Sequence, residues 1–212
     1  MTPNPAIFAP ILIAALAFFG VSCYRRFSLV TLGKPEDRFH SIGKRIGDML
    51  LFAFGQRRVV QKPFGINHFV IFWAFMVLLL ANGEFLVRGV FPQISLALLP
   101  APLYHGLLFA FDLVSLLTLG SIALAFARRL FFPPPYMETR YVKAKSFEAF
   151  LILSFIALLM LAYFGLHGAE IALGEGDAAA YMPFSSFVAG ILATATPAGV
   201  AAFGVLCWWG HA

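Results

Sequence analysis

The stretch "INHFVIFWAFMVLLLANGEFLV", Ile66–Val87, decides the fold. It contains no Lys, Arg or Asp, and Glu84 is its single acidic residue. An apolar run longer than about 18 residues marks a membrane span. In lipid every backbone group must find its partner within the protein, and a helix does this inside one segment.

Comparable runs flank it. They lie at about Ile7–Tyr24, Tyr104–Phe126 and Phe147–Ile171, and a further one begins between Phe184 and Pro197 and runs to the end of the sequence. Across the 212 residues 61% are hydrophobic and only 12% charged, and the mean hydropathy is +0.87. A soluble domain of this size would need far more charge to cover its surface. The fold class expected is an all-α membrane protein, a five-transmembrane-helix bundle forming one domain over residues 1–212. No basic segment precedes the first run and no small-residue cleavage site follows it, so it reads as a span and not as a signal peptide.

Charge sets the orientation. The loop after the first span carries Arg25, Arg26, Lys34, Arg38, Lys44, Arg45, Arg57, Arg58 and Lys62. The loop after the third carries Arg128, Arg129, Arg140, Lys143 and Lys145, which leaves Arg88 alone of the 15 Lys and Arg. The connection after the fourth span is acidic, with Glu170, Glu175 and Asp177. The positive-inside rule places both basic loops in the cytoplasm and the N-terminus outside. The formal charge of +5 is therefore a topology signal, not a sign of nucleic-acid binding. Within the first loop, Ile42, Ile46, Met49, Leu50, Ala53 and Phe54 recur at helical spacing, opposite Lys44, Arg45 and Asp48. This predicts an interfacial amphipathic helix over residues 41–61 on the cytoplasmic side.

Ionisable groups inside spans are costly, so each is a functional candidate. His68 starts the second span on the cytoplasmic side. His105 opens the third on the outer side, with Asp112 two turns deeper. His167 lies near the outer end of the fourth span and His211 in the fifth. Glu84 and Arg88 close the second span on the outer side. Single histidines at span ends are commonly interfacial, but four on four spans point further. Imidazole is a strong axial ligand for haem iron, and a bis-histidine b haem takes one ligand from each of two facing helices. Depth lets His105 and His167 share one haem, while His68 needs an inner partner. If the fifth span starts near Phe187, His211 reaches the inner face; if it starts at Pro197, His211 is only mid-span and "PFSSFVAGILATAT" forms a short outer helix. Proline favours the first turn of a helix. No Lys or Arg follows His211, which predicts that the chain is the N-terminal part of a longer protein.

Gly106, Gly165, Gly168 and Gly210 lie within two residues of a candidate ligand, where a macrocycle could approach; close helix contacts explain the same glycines. Cys23 and Cys207 form no Cys-x-x-Cys-His and no cluster, so any haem is non-covalent and any iron–sulfur cluster belongs to a partner or a C-terminal domain. Asp112, Glu84 and Arg88 are the groups available for a quinone site. For Asp112 the competing reading is a hydrogen-bonded structural residue between spans.

The stretches "FGINHFVIFWAF", "ANGEFLVRG", "ARRLFFPPPYME" and "CWWGHA" carry a resemblance. The layout resembles the dihaem cytochrome b membrane subunit of respiratory nitrate reductase and, more closely, the N-terminal membrane domain of heterodisulfide-reductase-related iron–sulfur proteins. Those proteins are proposed to pass electrons between electron transfer flavoprotein and menaquinone. The resemblance implies two b haems, with His211 serving the outer one and His68 pairing with a residue absent here. It implies menaquinone as substrate and, as partners, a cytoplasmic iron–sulfur domain or subunit fed by electron transfer flavoprotein. The protein is then part of an oxidoreductase of the inner (cytoplasmic) membrane. The chain departs from the nitrate reductase pattern at Leu78, where a second span-two histidine would stand, so that His105 or His167 must substitute if two haems are present. A haem-free membrane anchor or scaffold is the competing class. A transporter would be expected to show paired repeats with broken helices, which the sequence lacks.

Overall fold

Asn4 and Pro5 begin the first helix, because proline supplies no amide to cap and the Asn4 side chain takes one: its Oδ1 accepts from Ala6 N at 3.0 Å. The computed structural model describes residues 4–34, 36–37, 39–133, 143, 145–175 and 178–212. Arg38, Arg140 and Asp177 of the charge pattern, and the end of "ARRLFFPPPYME", lie outside them. Helix α1 (Pro5–Phe27) ends on Arg25 and Arg26 and runs into a 3₁₀ turn, Ser28–Leu32. Only one face of it is docked. Phe8 is 2% exposed, whereas Phe18 is 77% exposed.

The segment expected to form one amphipathic helix is helical in pieces. Helix α2 (Ile42–Met49) continues as a π turn over Leu50–Phe54. The chain then breaks at Gln56, whose φ of 47° is left-handed, and resumes as α3 (Arg57–Val60). Ile42, Ile46, Met49 and Leu50 are exposed, each about half covered or less. They form an apolar face beside Lys44, as the helical spacing predicts.

Helices α4 (Gly65–Val90), α5 (Ala101–Phe131) and α6 (Phe147–Ala172) form the body of the bundle. With α1 and its 3₁₀ extension, they are the four elements among the described residues long and apolar enough to cross a membrane. No β-strand occurs among the described residues. The fifth expected span differs. It is divided into α7 (Pro183–Leu192) and α8 (Pro197–His211). The break is written in Thr196-Pro197: Thr196 Oγ1 accepts from Gly199 N at 3.2 Å, and Pro197 occupies the first helical position. Of the two registers open from sequence, α8 takes the one that starts at Pro197. Its 15 residues rise about 22 Å, short of the roughly 30 Å hydrocarbon core.

Helix α6 is central and packs on α7, α8 and α5, while α4 packs on α5 and α1. Two of the noted glycines explain the close approach. A Cβ at Gly165 would strike Cys207 Sγ on α8, and one at Gly168 would lie 2.7 Å from Val188 Cγ1 on α7. These two glycines therefore serve helix contact, in the small-residue manner of membrane bundles. Gly106 meets nothing within 4 Å, and Gly210 meets only Ala162 at an ordinary 3.8 Å. A polar seam runs down α5 at every third position, through Asp112, Ser115, Thr118 and Ser121, all buried. Asn67 Nδ2 donates to Ser121 O at 3.0 Å and so ties α4 to it. The apolar core gathers around Leu78, Phe111, Met160, Phe164 and Met182.

Candidate functional site

Tyr163, His167 and Glu170 are spaced four and three residues apart, so α6 carries them on one face. That face lines a cavity of about 590 Å³ at the end of the bundle where α4 stops and α5 begins. His105 from α5 and His211 from α8 stand on the same wall, as do Glu84 and Arg88 from α4. The fourth candidate, His68, is exposed near the start of α4, at the opposite end of that helix. The volume falls within the 300–1,000 Å³ typical of small-molecule sites, and the remaining wall is largely apolar, with Leu78, Leu108, Phe111 and Met160.

The three histidines are held differently. His167 Nδ1 lies 3.0 Å from Glu170 Oε2. A carboxylate on one ring nitrogen fixes the imidazole's orientation and leaves Nε2 as the free nitrogen, the arrangement seen behind metal-bound histidines. His211 packs against Phe85, ring centroids 4.3 Å apart, and its buried Nδ1 has no partner. Phe85 also stacks on Trp208 at 4.7 Å, so "CWWGHA" anchors α8 to α4. His105 lies face to face with Tyr181, centroids 3.7 Å apart and rings 8° from parallel.

The expected quinone groups separate in the structure. Asp112 is fully buried and is not on the cavity wall. Its oxygens accept from Phe184 N at 2.7 Å, Ser185 N at 3.1 Å and Ser185 Oγ at 2.6 Å. It thus caps the N-terminus of α7 from a neighbouring helix, where Met182, the local cap residue, offers no side chain. This is the structural reading of Asp112 left open by the sequence. Glu84 is on the wall, yet its Oε1 accepts from Ser95 Oγ at 2.7 Å and Leu96 N at 2.8 Å, which pins the 3₁₀ turn Leu96–Leu98. Arg88 is the one member of the three without such a structural partner.

Tyr163 was not singled out from the sequence. Its residue is 5% exposed and its buried hydroxyl has no partner. Its ring centroid is 4.5 Å from that of His167 and 6.5 Å from that of His211. Of the five buried side-chain polar atoms without a partner among the described residues, three line this cavity: Arg88 Nε, Tyr163 Oη and His211 Nδ1. Each such atom costs roughly 1–3 kcal/mol. Their convergence on one cavity leaves three polar atoms to be satisfied there by water or a bound group. The available signal was spacing: Tyr163 stands one turn before His167, and Glu170 less than one turn after it.

Fold and site define a helical membrane protein with a histidine-lined cavity at one end. No family model matches the chain, and no solved structure matches it. It is 26% identical over 209 residues, 98% of its length, to the probable iron–sulfur-binding oxidoreductase FadF of Bacillus subtilis (strain 168), covering 28% of that protein. It is 32% identical over 165 residues, 76% of its length, to the EtfAB:quinone oxidoreductase of Syntrophomonas wolfei subsp. wolfei, covering 22% of that protein. The chain is thus similar to oxidoreductases and spans about a quarter of the length of these relatives.

Proposed function

We propose that the chain is the membrane part of an electron-transfer oxidoreductase and that its cavity holds a b haem. The observation that carries this reading is the convergence of His105, His167 and His211, from three different helices, on one cavity. No three His, Cys, Asp or Glu among the described residues cluster tightly enough to hold a bare metal ion. A haem asks for less, because its macrocycle already binds the iron and the protein adds only axial ligands. Two of the three histidines would hold it, with Glu170 keeping Nε2 of His167 free for the purpose. When bound, the haem supplies reversible one-electron chemistry.

Around it the chain's own residues exclude water, through Leu78, Leu108, Phe111 and Met160, and fix the ligand rings through Phe85 and Glu170. His68 is the proposed ligand of a second b haem on the cytoplasmic side. No other histidine stands on the described spans at that end, and the second ligand is assigned, as the resemblance implies, to a further segment or a partner. With the N-terminus outside, the basic loops and α2 face the cytoplasm, in the inner membrane. An iron–sulfur domain or subunit docks there, supplied by electron transfer flavoprotein, and menaquinone exchanges electrons near the outer cavity. The names of the two relatives, an iron–sulfur-binding oxidoreductase and an EtfAB:quinone oxidoreductase, support the nature of the partners.

The test uses the complete complex in liposomes, given reduced electron transfer flavoprotein and a menaquinone analogue. Quinone reduction is expected, and it should be lost in His167→Ala. A haem-depleted variant that reduces quinone at the wild-type rate would overturn the conduit reading and leave the chain as an anchor.

A further inference from the structure

Among the described residues Arg88 is the only Lys or Arg on the cavity wall. It sits four residues after Glu84 on α4, a spacing at which the two side chains could pair. They do not pair, because Glu84 is turned to Ser95 and Leu96. Arg88 makes no hydrogen bond or ion pair with any described residue, and its Nε is buried. Two other carboxyls stand on the wall: Glu170 is engaged with His167, and Glu175, like Glu84, makes no bond to Arg88. A guanidinium left unpaired at the edge of an apolar cavity calls for an anion, and its planar fork matches a carboxylate.

Its position along the bundle fits an arm of the ligand and not the ligand's centre. Phe85, whose ring touches that of His211, precedes Arg88 by three residues, a rise of about 4.5 Å. Arg88 therefore stands beyond the histidine level, toward the polar end of α4, where the acidic edge of an otherwise apolar group would emerge.

We propose that Arg88 binds a carboxylate arm of the cavity's ligand, which on the haem reading above is a propionate, and that its charge raises the haem's midpoint potential. The inference rests on that reading. An oxidised haem carries one more positive charge than a reduced one, so a fixed cation beside it favours the reduced form. Arg88 is then a positioning residue for the cofactor and not a member of a quinone site.

The experiment compares the haem-loaded wild type with Arg88→Gln and Arg88→Lys by redox potentiometry followed at the haem alpha band. Arg88→Gln should keep the band and shift the oxidised-to-reduced ratio about tenfold toward the oxidised form, about 59 mV for one electron. Arg88→Lys should recover most of that shift, since it keeps the charge and loses only the fork. An alpha band present in all three with an unmoved potential would overturn the assignment and leave the haem reading standing. A wild type without any alpha band would overturn both. If Arg88→Gln retains too little haem to titrate, haem binding to the apoproteins decides: weaker binding restored by Lys supports the clamp, and equal affinity refutes it. A purely structural role would lower the thermal midpoint of Arg88→Gln with no change in potential.

Discussion

Replacing Asp112 by alanine should unseat α7. The side chain is fully buried, and it accepts from Phe184 N, Ser185 N and Ser185 Oγ at 2.7, 3.1 and 2.6 Å. Removing an ordinary helix cap costs about 0.5–2 kcal/mol, because water then takes the exposed amides. Water cannot do so at Ser185, which is itself fully buried. Each buried donor left alone costs roughly 1–3 kcal/mol. The Phe184 amide at the ordinary cap cost and the two buried Ser185 donors therefore put Asp112→Ala at about 3–8 kcal/mol. Asp112→Asn keeps one accepting oxygen but turns an NH₂ toward a donor, so it should lose about half as much. For a chain of this size 1 kcal/mol moves the midpoint by about 2–4 °C, and thermal unfolding in detergent would resolve the series. The haem band should persist in the folded fraction of both variants. An Asp112→Asn protein of wild-type stability whose quinone turnover alone is slowed would refute the capping role and return Asp112 to the quinone site.

Other perturbations test other contacts. Gly165→Val should separate α6 from α8, since even a Cβ there strikes Cys207 Sγ and comes within 3.1 Å of Phe203; a loss of about 1–3 kcal/mol is expected in thermal unfolding. Gly83→Val is the control, because nothing lies within 4 Å of a Cβ at that position, and its stability should be unchanged. Glu170→Gln should weaken haem binding about 10–100-fold in a haem titration, by releasing the carboxylate that orients His167. Glu84→Ala removes the acceptor for Leu96 N and Ser95 Oγ, so the Leu96 amide should exchange with deuterium faster, without loss of the haem band.

Much of the fold was legible because lipid leaves the backbone few choices. The run Ile66–Val87 became α4 almost residue for residue, and Thr196-Pro197 carried the start of α8 in its capping chemistry. The division of the last apolar stretch was one of two registers in the sequence, and hydropathy could not choose between them, because α7 and α8 are both apolar. The amphipathic segment 41–61 showed its apolar face but not its break, which depends on a left-handed Gln56 that no residue-type rule would select. At the site, counting rise per residue put His105 and His167 at one end, and the cavity contains both. Asp112 was visible as an unusual residue, yet its partners lie 72 and 73 residues away and only tertiary packing reveals them. The same holds for Glu84, which looked paired to Arg88 by spacing and is instead drawn to the loop at Ser95.

The most direct test is a dithionite-reduced minus oxidised spectrum, with haem stoichiometry, of the purified chain and of His105→Ala, His167→Ala and His211→Ala. The predicted result is a b-type alpha band in the wild type that disappears in two of the three variants, those that lose an axial ligand, and survives in the third. A colourless wild type, or a band unchanged in all three variants, would contradict a haem in this cavity.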